Sequence, residues 1–137
     1  MGDRRLHRWV EHTGELELEL SSSTEEGVFA DALAALGELL DEGGGTRPAT
    51  DRQQVSVTAP ERALLLAEWL GELAFRAETE GFVPLSVAEL GLTADRLEAT
   101  VEGRTGRPAH LVKAVTYHEL RFERDGDRWR AHLVLDV

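Results

Sequence analysis

Three oxygen-bearing groups are the best candidates for chemistry in this sequence: the side chains of Glu15 and Asp136 and the main-chain carboxylate of Val137. Asp136 stands near the end of an alternating apolar/polar run, on its polar side, with the terminal carboxylate next to it. Glu15 opens a second alternating run, Glu-Leu-Glu-Leu-Glu-Leu over 15–20. Both acids are therefore expected on strands and facing outward. Oxygen-only ligands suit a hard divalent cation such as calcium, magnesium or manganese. Acidic clusters are also common on solvated surfaces, so the pattern alone leaves both readings open. Glu17 and Glu19 read as a plain solvated face.

Other chemistries have weaker support. The histidines are scattered at His7, His12, His110, His118 and His132, and none forms an H-x-x-x-H pair, which argues against a zinc site. There is no cysteine and no G-x-S-x-G elbow, which argues against nucleophilic catalysis. The triglycine at 43–45 lacks a following Lys-Ser/Thr and comes after a helix, so it reads as a connection and not a phosphate loop.

The elements that must position these groups are legible in outline. Residues 112–137 read as a hairpin with Asp125-Gly126 as a type I′ loop. That loop would set Arg124 opposite Asp127, Phe122 opposite Trp129, Leu120 opposite Ala131, His118 opposite Leu133 and Thr116 opposite Leu135, all on one mostly apolar, core-facing side. Glu123 would face Arg128, Glu119 would face His132 and Val115 would face Asp136 on the other side.

Upstream, 6–10 is a short leading segment, 11–14 a turn and 15–20 a strand with Leu16, Leu18 and Leu20 inward. Ser23 and Glu26 form a capping box for a first helix, whose stripe is Phe29, Ala32, Leu33, Leu36, Leu39 and Leu40. A strand over 53–58 follows. Thr58 and Glu61 form a second capping box. A helix over about 60–79 then carries Leu66, Trp69, Leu70, Leu73 and Ala77, ended by Gly81. Phe82, Val83 and Leu85 begin a strand that Pro84 assigns to a sheet edge, and 87–92 and 96–102 offer further strands. Strands and helices without regular β-α-β alternation imply an α+β fold: two layers, a mainly antiparallel sheet with two helices packed on it.

At 137 residues, 42% hydrophobic and 30% charged, the chain fits one globular domain over 1–137. A net charge of -11 disfavours strong direct binding to nucleic acid and favours basic proteins or metal ions as partners. No apolar run approaches the roughly 18 residues of a membrane span, and the first residues lack a signal-peptide core, so a cytoplasmic location is expected.

Several blocks, in order, resemble the archease family along nearly the whole chain. Glu11 followed by His12-Thr13-Gly14-Glu15 is similar to the family's His-Thr-Ala-Asp motif with its leading acid. Thr24-Glu25-Glu26-Gly27-Val28-Phe29-Ala30 resembles its helix opening. Glu68-Trp69-Leu70-Gly71-Glu72-Leu73 and Glu78-Thr79-Glu80-Gly81-Phe82 resemble its second helix and exit. Lys113-Ala114-Val115-Thr116-Tyr117-His118-Glu119-Leu120 resembles its most recognisable segment, and Leu133-Val134-Leu135-Asp136-Val137 its Leu-Val-Pro-Asp-Ile ending.

The resemblance implies an SHS2-like fold and a non-enzymatic partner of RtcB-type RNA ligases. Those ligases join RNA ends through a guanylylated histidine, with GTP and divalent metal, in tRNA splicing and RNA repair. Their archease promotes guanylylation and multiple turnover. It also implies that Glu15, Asp136 and the Val137 carboxylate hold a divalent metal (Ca, Mg or Mn). Glu15 departs from the family's usual aspartate: the extra methylene moves the carboxylate by about a bond length and adds a torsion. Two rival readings are a general protein-interaction or chaperone-like module and a metal-dependent hydrolase. The hydrolase would need His12 or His118 as its base.

Overall fold

Alternation of leucine and glutamate makes the first hairpin. In the computed structural model, which describes residues 6–41 and 48–137, β1 (Leu6–His12) and β2 (Glu15–Ser22) pair antiparallel around a turn at Thr13-Gly14. The turn is thus shorter than expected, because Glu11 and His12 continue the strand. Gly14 takes φ 75°, a conformation that costs glycine nothing. Leu18 and Leu20 are buried, while Glu15, Glu17 and Glu19 point to the other face.

Helix α1 (Glu25–Leu40) is capped by Thr24, whose hydroxyl accepts from the Gly27 N–H at 2.9 Å. The expected cap was Ser23; β2 runs on through Ser22, which moves the start of the helix one residue along. The stripe from Phe29 to Leu40 is buried, with Leu39 at its margin. The triglycine expected to end this helix lies outside the described residues. Helix α2 (Arg62–Glu80) starts later than expected, and its cap, Glu61, makes no side-chain capping bond, so the second capping box is not formed. Its C-terminus is as expected: Gly81, at φ 69°, donates its N–H to the Arg76 carbonyl. Leu66, Trp69, Leu70, Leu73 and Ala77 are buried. The Trp69 indole donates to the Phe29 carbonyl at 2.9 Å, which ties the two helices together.

The class is α+β, with two helices and antiparallel strands. The strands divide between two sheets where one layer was expected. The smaller sheet holds β3 (Asp51–Thr58), β5 (Arg96–Thr105) and β4 (Phe82–Leu92) in that order, so Pro84 does lie on an edge strand. Helix α1 crosses β4 closely at Gly37, where an added Cβ would lie 2.3 Å from the Pro84 carbonyl oxygen. Arg104, from β5, forms a buried ion pair with Asp41 at the end of α1.

The larger sheet has the order β1-β2-β7-β6, completed by β6 (Ala114–Asp125) and β7 (Arg128–Asp136). Its hairpin differs from expectation in two ways. Asp125 pairs with Arg128, so the loop is Gly126-Asp127, with Gly126 first and at φ 64°. Glycine in that position is the II′ pattern and not I′. The shift slides the register by two residues and preserves the faces. Phe122 now sits opposite Ala131 and Arg124 opposite Trp129, while Glu123 faces Arg130. Phe122 and Trp129 still meet diagonally, ring centroids 5.9 Å apart, and Phe122 reaches Phe29 at 5.6 Å.

The second difference is a wide bulge. Between the pairs Thr116–Val134 and Arg121–His132, four residues of β6 lie opposite Leu133 alone. Glu119, in this bulge, has φ 52°, the one positive value for a non-glycine among the described residues. The extra residues reverse the faces beyond them. Val115 pairs with Leu135 and Ala114 with Asp136, and His118 is exposed instead of core-facing.

Candidate functional site

The order β1-β2-β7 makes β2 and β7 neighbours, and that adjacency builds the site. Glu15 and Asp136 are register partners across this ladder. Directly paired antiparallel residues have Cα atoms only about 4.5–5.5 Å apart. Both side chains lie on the outer face of the sheet, with Glu15 exposed and Asp136 half-buried. The backbone around them is fixed from both sides. The Val137 N–H donates to the Gly14 carbonyl at 3.1 Å, and the Lys113 N–H donates to the Asp136 carbonyl at 2.8 Å. Glu15 and Asp136 are therefore brought together at the mouth of the Thr13-Gly14 turn, with the Val137 main chain beside them. The donor set is oxygen only, which fits a hard divalent cation.

One strand repeat inward, Glu17 is not the freely solvated residue expected. Its carboxylate lies between two imidazoles. His132 Nε2 is 2.8 Å from Oε1, and His12 Nε2 is hydrogen-bonded to Oε2. The bond from His132, then that from His12, hold the Glu17 carboxyl below its ordinary pKa. His132 is 5% exposed, and its Nδ1–H donates to the Glu119 carbonyl at 2.8 Å. Glu19, by contrast, makes an exposed ion pair with Arg8. The bulge that carries Glu119 left no signal in sequence alternation, so this grouping was not legible. His118, a rival general base, points away from the core in that same bulge.

The model of the Archease protein family (MTH1598/TM1083) matches residues 7–137. The chain belongs to the archease family. Among relatives named protein archease, that of Methanosarcina acetivorans is 29% identical over 142 residues, covering 97% of each chain. That of Methanopyrus kandleri is 29% identical over 136 residues, covering 93% of this chain and 96% of its own. The archease fold is also seen in solved structures. The solution structure of Methanobacterium thermoautotrophicum protein 1598 superposes with a TM-score of 0.77 at 23% identity, covering 96% of this chain and 98% of its own. A Thermotoga maritima crystal structure, described as an archease and possible chaperone, gives 0.69 at 22% identity, with 98% and 99% covered. No helix among the described residues is long and apolar enough to cross a membrane.

Proposed function

We propose that this archease-family protein is a non-catalytic partner of an RtcB-type RNA ligase in the cytoplasm. In this reading it promotes the ligase's GTP- and metal-dependent guanylylation during tRNA splicing or RNA repair. The observation that carries the reading is the pairing of Glu15 with Asp136 beside the Val137 main chain. Those three groups would hold the divalent cation. When bound, that ion supplies positive charge for phosphate oxygens. The protein's own share is to position the two carboxylates on a rigid ladder and present them on an exposed face. Its net charge of -11 suits docking on a basic RNA-binding surface without competing for the RNA.

A general interaction or chaperone-like module remains the second reading, favoured by the description given to the Thermotoga relative. Co-purification from the native host separates the two. The ligase reading expects an RNA ligase as the main captured protein, and capture of a varied set of unfolded clients without a ligase contradicts it.

A further inference from the structure

Side chains from the four strands of the larger sheet adjoin one another on its outer face. β1 gives His12, β2 Glu17, β7 His132 and the bulge of β6 gives Glu119. Glu17, Glu119 and His132 each offer a ligand atom, and these atoms lie within 4.8 Å of one another. We propose that Glu17, Glu119 and His132, with His12 as a fourth donor, bind a divalent transition-metal ion of the zinc class, at a site separate from Glu15, Asp136 and Val137.

The His132 imidazole is buried in the middle of this group. The Glu119 carbonyl can only accept, so the Nδ1 of His132 carries the proton. Its Nε2 is thereby aimed at Glu17 Oε1, 2.8 Å away. His12 presents a second imidazole nitrogen to the other oxygen of the same carboxylate. Metal-binding histidines almost always donate their remaining N–H to a carbonyl or carboxylate, which is the arrangement His132 has.

Nitrogen donors decide which metal fits. Imidazole suits zinc and its neighbours, whereas the all-oxygen set at Glu15 and Asp136 suits calcium or magnesium. In a tetrahedral site with bonds of about 2.0–2.2 Å, donors stand roughly 3.4 Å apart. Glu119 is exposed, so its carboxylate is free to close the remaining gap. Glu17 stands two residues from Glu15 on the same face, about 7 Å along the strand. The sequence argued against zinc because no two histidines have ligand spacing; here the donors come from four strands and share no local motif.

The test uses tag-free, full-length protein titrated with Co2+, whose d–d absorption reports nitrogen and oxygen coordination, followed by displacement with Zn2+. Wild type and Asp136→Ala are expected to develop the same bands, and Zn2+ to abolish them. Glu119→Gln, which alters an exposed residue, is expected to raise the apparent Kd about tenfold or more. His132→Asn is expected to lose the bands. Absence of bands in wild type, their loss in Asp136→Ala, or wild-type affinity in Glu119→Gln would overturn the proposal. Should His132→Asn fail to fold, Glu119→Gln decides.

Discussion

Glu15 and Asp136 stand directly opposite each other on adjacent strands, although 121 positions separate them in the sequence (136 − 15). The pairing makes the identity of residue 15 testable. Glutamate adds a torsion that must be frozen when a cation binds. Glu15→Asp is expected to bind Ca2+ or Mn2+ about two- to five-fold more tightly, on the order of 0.5–1 kcal/mol. Isothermal titration measures it directly. Weaker binding would show that the longer side chain is matched to this ladder.

Arg104 and Asp41 are 8% and 5% exposed, and Arg104 Nε has no hydrogen-bond partner among the described residues. Removing Arg104 takes the guanidinium away from a buried carboxylate. Arg104→Ala is expected to cost about 3–5 kcal/mol of folding stability. Urea denaturation checks it, and a loss below about 1 kcal/mol would mean the pair is solvated in solution.

Gly37 sets two effects against each other. Alanine in a helix gains about 1 kcal/mol over glycine. At this position the new methyl would lie 2.3 Å from a backbone oxygen that cannot rotate away. Overpacking costs about 1–3 kcal/mol and a clash with backbone falls at the upper end. Gly37→Ala is expected to lower the melting temperature, whereas Gly71→Ala, with open space around it, is expected to raise it.

His7 links β1 to α1, with Nδ1 2.9 Å from Asp31 and Nε2 3.0 Å from Glu38. Burial pulls its pKa down, but the bonds and charges of Asp31 and Glu38 outweigh that and leave it raised above 6.5. A raised folded-state pKa favours the protonated form. Its contribution to stability is therefore full below pH 6.5 and lost as pH rises through the raised value. The stability difference between wild type and His7→Gln is expected to shrink over that rise. A difference that stays constant from pH 6 to pH 9 (about three decades of proton activity) would show that His7 does not titrate there.

Strict alternation located β2, and helical stripes located both helices, because a half-buried element repeats its exposure residue by residue. Caps were less legible: Thr24 and Ser23 are both competent, and only the length of β2 chooses between them. The hairpin face survived a misplaced loop because a shift of two residues conserves parity. The bulge at Tyr117–Leu120 was not legible, since its extra residues are held by the Glu119 carbonyl's bond to His132, a tertiary contact. For the same reason Glu15 and Asp136 were legible as outward carboxylates, and the Glu17–His132 grouping was not.

The most direct test of the proposed function is guanylylation of the host's own RNA ligase, measured with GTP and divalent metal. The account predicts that the wild-type protein raises the rate and sustains repeated turnover. Asp136→Ala, and a variant extended beyond Val137, are predicted to fold normally and fail to stimulate. Stimulation by both variants equal to wild type would contradict the carboxylate site, and no stimulation by wild type would contradict the ligase-partner reading itself.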